Sequence, residues 1–253
     1  MLVDAHAHLD RYEEDLEYAL TEITQDRIFT ISNSMDLRSY QRNLEIADRC
    51  DLVVPTFGVH PWNASQYVNN LEDLSNAIDQ SPIIGEIGLD YYFVKDTSQY
   101  PAQEKVFDFF LAAASRQGKI VNLHTKGAER EVLHLLGHHK IGRAIIHWYS
   151  GPWHILRTMV DHGFYFTVGV EVLNSQHIQD IAKYLPAELI LTETDNPGGP
   201  ESLTGEAGTP SLIKDITKKL AEIRRTSVEV IIDTVRGNLA RLGNNDPWLC
   251  ALE

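Results

Sequence analysis

Cysteine is scarce in this chain, and the two present, Cys50 and Cys250, lie far apart and in no metal-binding spacing. That argues against a disulfide framework or a cysteine-zinc site and reads as free thiols in a reducing compartment. Long apolar runs are missing as well. Nothing approaches the roughly 20 residues of a membrane span, and no N-terminal stretch resembles a signal peptide. The expectation is a cytoplasmic protein with no membrane partner. Positive charge is also in short supply, with 22 Lys and Arg against 36 Asp and Glu, a formal net charge of −14. Nonspecific wrapping of a nucleic acid duplex is therefore disfavoured, although a locally neutralised cleft remains open. There is no G-x-G-x-x-G or G-x-x-x-x-G-K-[ST] loop to cradle a phosphate, and no repeat, low-complexity segment or linker.

What is there is a chain of 253 residues, 43% hydrophobic, long enough to bury a substantial core. Short β-rich apolar runs alternate with longer stretches of helical periodicity. Strands are expected over 2–8, 27–32, 52–58, 82–88, 119–124, 143–147, 164–169 and 188–195. Amphipathic helices are expected over 13–23, 70–79, 103–117, 128–139, 153–163, 175–185, 211–225 and 227–242. Eight strand-helix units in a chain of this length predict an α/β fold of the (β/α)₈ TIM-barrel class as a single domain, 1–253. An open doubly wound sheet is the runner-up.

The chemistry sorts by position on that frame. In "MLVDAHAHLD", His6 and His8 are one residue apart, and on a strand residues i and i+2 share a face, so both imidazoles aim at one spot. Such a pair alone is more often solvated or hydrogen-bonded than metal-binding. It has partners: His124 and His147 close strands 5 and 6, Glu86 lies near the end of strand 4 and Asp195 at the end of strand 8. The C-terminal strand ends of a barrel converge on one mouth. Six nitrogen and oxygen ligands meeting there suffice for two divalent ions if one carboxylate bridges them, and Glu86, central in the ligand order, is the candidate bridge. Each residue taken singly can be a satisfied buried polar group, but their joint placement favours a metal cluster. His134, His138, His139, His154, His162 and His177 fall in helical stretches and read as structural.

The motifs "DAHAHLD", "FGVHP", "GEIGLDYY", "NLHTKGAE", "IIHWYSG" and "LTETDNP" occur in the order and spacing of the TatD-like metal-dependent deoxyribonucleases, a branch of the amidohydrolase barrel superfamily. The chain resembles that family from residue 1 to about 242, through the closing "GNLARL". The resemblance implies a (β/α)₈ barrel, a two-metal centre and, motif by motif, the ligands His6, His8, Glu86, His124, His147 and Asp195. Three segments depart from the family pattern: Trp148 and Tyr149 after the strand 6 histidine, Lys126 after strand 5, and "NPGGPESLTGEAG" after "ETD". They bear on substrate choice and leave the ligands untouched.

The implied chemistry is hydrolysis of a phosphodiester. Two divalent cations, Mg²⁺, Mn²⁺ or Zn²⁺, would lower the pKa of a water and neutralise charge on a phosphoryl oxygen. Asp195 is the expected general base, with Glu86 the second catalytic carboxylate. Glu193 is either an orienter of the ligands or a buried structural carboxylate. Asp90 either hydrogen-bonds a ligand histidine or caps a turn. His60 and Lys126 are placed to meet phosphate oxygens. Trp148 and Tyr149 either stack a base or pack at the rim. The expected substrate is nucleic acid, DNA before RNA, cut at single-stranded ends. The rival is an amidohydrolase-type reaction on a small-molecule or aminoacyl-linked substrate, and a metal-stabilised binding module ranks last.

Overall fold

The computed structural model describes residues 1–244 and 246–252, so positions 245 and 253 of the expected domain lie outside the described residues. Eight strands are present at the expected places: β1 (Leu2–Ala7), β2 (Ile28–Asn33), β3 (Val53–Thr56), β4 (Ile83–Gly88), β5 (Ile120–His124), β6 (Ala144–Ile146), β7 (Tyr165–Val168) and β8 (Ile190–Thr192). Five of them end short of the expectation: β1 before His8, β3 before Phe57, β6 before His147, β7 before Gly169 and β8 before Glu193. Trp148 at φ 40° and Asp195 at φ 54° turn the chain out of the extended region after β6 and β8.

The expected helices appear as α1 (Leu16–Asp26), α4 (Ser75–Gln80), α5 (Tyr100–Gln117), α6 (Glu129–His138), α7 (Trp153–Asp161), α8 (Gln176–Tyr184), α10 (Leu212–Arg224) and α11 (Val228–Gly243). Three more, α2 (Leu37–Ala47), α3 (Ala64–Tyr67) and α9 (Gly198–Thr204), were not foreseen. The apolar signal of α2 is faint because its buried positions, Tyr40, Asn43 and Ile46, include an asparagine. No helix among the described residues is long and apolar enough to cross a membrane.

The chain forms two compact units. The first comprises Met1–Ser32, Arg42–Val54 and everything from Phe166 onward; the second comprises Asn33–Gln41 and Pro55–Tyr165. In the first unit, β7 pairs in parallel with β8 from Phe166↔Ile190 to Val168↔Thr192. β8 lies beside β1, where the Thr192 hydroxyl donates to the Val3 carbonyl at 2.6 Å. β1 pairs with β2 from Leu2↔Ile28, and Thr30 N donates to Leu52 O at 2.8 Å. Leu16, Ala19 and Ile23 of α1 present the i, i+3, i+7 stripe to a core shared with Leu9 and Ile46. α11 starts where the Ser227 side chain accepts from Val230 N, and its buried Asn238 amide clamps the carbonyls of Ala187 and Ile190, each at 2.7 Å.

In the second unit, Phe57 bridges to Ile84, β4 pairs with β5 from Ile83↔Ile120 to Gly88↔His124, and β5 pairs with β6 from Val121↔Ala144 to Leu123↔Ile146, all parallel. α5 carries Pro101 in its first turn and ends at Gly118, φ 64°, a sequence-coded start and stop. It buries Val106, Phe107, Phe110, Leu111 and Ala114, with the Phe110 ring 5.7 Å from Phe57. Each buried Phe stabilises by about 1.5–3 kcal/mol relative to exposure.

Candidate metal centre

The strands that carry His6 and Glu86, two of the candidate ligands, both break their register at those residues. The β1–β2 ladder shifts between Asp4 and Ala7, around His6, and the β4–β5 ladder shifts between Ile84 and Ile87, around Glu86. An irregularity of this kind re-aims a side chain that a regular pleat would direct elsewhere.

In the first unit, His6 and His8 bring their Nε2 atoms to 3.2 Å, with the rings edge to face at 78°. Asp195 Oδ1 lies 3.7 Å from His6 Nε2 and 3.4 Å from His8 Nε2. The backbone fixes this meeting: Asp195 N donates to His6 O at 2.9 Å and His8 N to Asn196 O at 2.7 Å. Two buried imidazoles and a carboxylate whose donor atoms all fall within 4.8 Å make a three-donor set suited to a borderline divalent cation. Beneath them Asp4 accepts from Thr194 N at 2.9 Å and from the Thr194 hydroxyl at 2.5 Å. Burial pushes its carboxyl up to about 7 against the pull of those bonds, and neighbouring Glu193 adds to the rise. Glu193 is fully buried, and its Oε1 sits 3.0 Å from where a side chain on Gly169 would begin. Asp4 was not singled out from the sequence, yet the alternation that pairs His6 with His8 puts Asp4 on the same face.

In the second unit, His124 Nδ1 stands 2.9 Å from Glu86 Oε1, while its Nε2 faces Asp90 Oδ2 at 3.1 Å. Asp90 also accepts from Tyr92 N, Phe93 N and the Trp62 indole. Burial alone would raise its carboxyl, but the bond and charge of His124, with the other donors, hold it at about 2. An ionised Asp90 therefore keeps a proton on His124 Nε2, and the lone pair of Nδ1 is left facing a carboxylate oxygen. Two acceptors at that distance repel unless a cation or a second proton lies between them. In a metal-free chain the proton takes that place, so His124 is raised: desolvation opposes the shift, and the bonds to Asp90 and Glu86 outweigh it. A divalent cation held by the His124 and Glu86 donors would serve in place of that proton.

His147 follows β6 and sets its Nε2 3.9 Å from Glu86 Oε1. His60 comes close too, 3.3 Å from His124 Nδ1 and 3.6 Å from Glu86 Oε1, and geometrically completes a three-donor group with them. Its chemistry differs. Trp62 N donates to His60 Nδ1 at 3.2 Å, so a neutral His60 carries its proton on Nε2 and presents a donor, not a lone pair. Two glycines make these approaches feasible: a side chain on Gly58 would overlap Glu86 O, and one on Gly88, φ 147°, would overlap His124 O. Gln103 of α5, also missed from the sequence, brackets Asp90 by accepting from its N at 2.8 Å and donating to its O at 3.3 Å.

Of the remaining expected residues, Lys126 donates to Trp148 O at 2.9 Å and to Ser150 Oγ at 3.0 Å, with its ammonium 5.2 Å from the Trp148 ring. Trp148 is half-buried. Tyr149 is no stacking surface: it is 3% exposed, with its hydroxyl donating to Pro152 O. The helical histidines stand at exposed positions except His139, which is part-buried against Asp108.

A repeated β-α fold with imidazole and carboxylate donors gathered at and just past strand ends defines the class of metal-dependent hydrolases. The particular family follows from comparison: the model of the family "TatD related DNase" matches residues 3–244, and the chain belongs to that family. The metal-dependent hydrolase YcfH of Escherichia coli K12 is 28% identical over 97% of this chain and 96% of its own. The human deoxyribonuclease TATDN3 is 26% identical over 95% of this chain and 94% of its own. Among solved structures, the TatD homologue YJJV of Escherichia coli K12 superposes with a TM-score of 0.87 at 24% identity, covering 97% of this chain and 98% of that one. The fold is thus the (β/α)₈ TIM-barrel class.

Proposed function

We propose that this metal-dependent hydrolase is a nuclease that cuts phosphodiester bonds at single-stranded nucleic acid ends, DNA before RNA, with two divalent cations. The observation that carries the reading is the grouping of imidazole and carboxylate donors, His6, His8 and Asp195 in one set and His60, Glu86 and His124 in another, each with its donor atoms within 4.8 Å of one another. The set of His6, His8 and Asp195 would hold one ion, and Glu86, His124 and His147 would supply donors to the other. When bound, the cations lower the pKa of a water and neutralise charge on the phosphoryl oxygens.

The residues do the rest. Asp195, 16% exposed at its side chain, accepts the proton of the attacking water while its backbone N–H holds it to β1. His60 offers Nε2–H, and Lys126 its positive charge, to a phosphoryl oxygen. Asp90 orients His124 and Glu193 supports the strand-end carboxylates. Water oxygen bonds to phosphorus as the bond to the leaving nucleoside oxygen breaks. The names of the family model and of the human relative favour DNA over the small-molecule alternative, and the free thiols of Cys50 and Cys250 suit action in the cytoplasm.

Purified protein is to be incubated with Mg²⁺, Mn²⁺ or Zn²⁺, or with chelator, against linear and circular single-stranded DNA, duplex and RNA. Chelator-sensitive shortening of linear single strands is expected. Intact nucleic acid under every metal overturns the nuclease reading, and equal cutting of circles removes the need for an end.

A further inference from the structure

Eight large apolar side chains stand exposed among the described residues, and three of them gather on the loops that follow β3 and β4: Trp62 is 47% exposed, Tyr92 59% and Phe93 56%. Their rings meet edge to face, Trp62 and Phe93 with centroids 6.2 Å apart at 80°, Tyr92 and Phe93 4.8 Å apart at 88°. That is a favoured aromatic geometry, and it leaves about half of each side chain in water.

The cluster is tied to the candidate centre through one carboxylate. Asp90 Oδ2 accepts from the Trp62 indole N–H at 2.7 Å and from His124 Nε2 at 3.1 Å, while Asp90 Oδ1 accepts from Tyr92 N at 2.9 Å and Phe93 N at 2.7 Å. The three rings are therefore positioned by the same group that orients the metal-facing imidazole. Tyr91 N donates to Lys126 O at 2.8 Å, and the missing side chain of Gly127 leaves room for the Tyr92 backbone, so the lysine turn lies against the cluster. Lys95 adds a cation 4.8 Å from the Tyr92 ring. Exposed aromatic faces beside ammonium groups match the two parts of an unpaired nucleotide, a flat uncharged base and a phosphate.

We infer that Trp62, Tyr92 and Phe93 form a stacking platform for the unpaired bases of the strand being cut, an inference that rests on the nuclease reading above. Stacking reads no base-specific hydrogen bonds, so the platform tolerates any sequence. It rejects an intact duplex, whose base faces are already covered by their neighbours.

The test uses the full chain and two measurements. Single-stranded oligonucleotides carrying 2-aminopurine near the end are titrated in Ca²⁺, and kcat and KM are measured with cutting-competent metal on strands whose terminal nucleotides carry bases or are abasic. Wild type should quench 2-aminopurine and show a KM about 5- to 100-fold higher for the abasic strand, the loss expected for one or two stacking contacts. Phe93→Ala and Tyr92→Ala should lose the quenching and raise KM for the base-bearing strand towards the abasic value, with kcat moving less than KM. Phe93→Trp, which keeps a ring, should retain both. Quenching by wild type that Phe93→Ala abolishes supports the platform even where no strand is cut, and the nuclease reading then fails alone. Cutting with no quenching and no abasic penalty overturns the platform and leaves the nuclease standing. A surface that serves a protein partner gives that same result.

Discussion

His124 faces more polar partners than one neutral imidazole can serve. Its two ring nitrogens face two carboxylates, Asp90 on Nε2 and Glu86 on Nδ1, and only one proton is available to a neutral imidazole. Asp195 poses a different question, ligand or base. Asp195→Asn keeps a coordinating oxygen and loses the proton acceptor, so the rate should fall by about 10²–10⁴-fold while metal content, read by elemental analysis, stays near wild type. A near-normal rate would move the base elsewhere. Asp4 gives a prediction about stability. Its carboxyl is raised to about 7 from 3.8 by burial, so its charged form is disfavoured in the folded chain. The contribution of Asp4 to folding is thus fullest below the unfolded value and is lost as pH rises through the folded one. Asp4→Asn is neutral throughout and can still accept from Thr194 N. Relative to that variant, chelated wild type should lose a few kcal/mol between about pH 4 and pH 7. Denaturant titrations of both proteins across that range measure it, and a pH-independent difference would contradict the burial argument.

At the scale of elements, the candidate donors within each unit are placed by interruptions of regular structure. β1 and β4 shift register at His6 and Glu86, and the residues after β6 and β8 turn to positive φ before the chain enters its loops. β4 can approach the end of β5 only because Gly88 has no side chain where His124 O sits. Gly88→Ala should therefore cost about 2–4 kcal/mol, the range of severe backbone and packing conflicts. Gly118→Ala is the comparison: it also has positive φ, 64°, but open space around it, so only the local conformational cost of about 1 kcal/mol applies. Thermal denaturation of the two variants ranks them. Equal losses would show that φ, and not the contact with His124, governs position 88. Among the helices, α5 was legible from its caps and stripe, whereas α2 hides because Asn43 occupies one of its buried positions and is held there by accepting from Ser32 Oγ at 2.8 Å.

For the molecule as a whole, a net charge of −14 sets the terms on which the proposed polyanionic substrate would be bound. Repulsion at a distance would leave the hold on a strand to the proposed cations and to a few local donors, Lys126, Lys95 and His60. With about two or three phosphates met by cationic side chains, log affinity for single-stranded DNA in Ca²⁺ should fall against log salt with a slope of about −1.4 to −2.1, at roughly −0.7 per contact. Fluorescence anisotropy across a salt series reads the slope directly. A much steeper value would mean that a basic track carries the binding.

Periodicity and spacing alone pointed to the class of fold, the eight strands and the six candidate ligand residues, because alternation at two residues and recurrence at 3.6 are local properties of a chain. The same period marks Asp4 as a neighbour of His6 and His8. What the tertiary structure decided is which atoms face which. Only folding brings His124 and the Trp62 indole onto the Asp90 carboxylate and Gln103 onto its backbone, and only the resulting hydrogen bonds assign the proton of His60 to Nε2 and turn Nδ1 of His124 to Glu86. Tyr149 and the Trp62, Tyr92 and Phe93 cluster make the same point from opposite sides. An aromatic residue reads alike in sequence whether it is core or surface, and burial, set by contacts distant along the chain, put Tyr149 inside and left the other three in water.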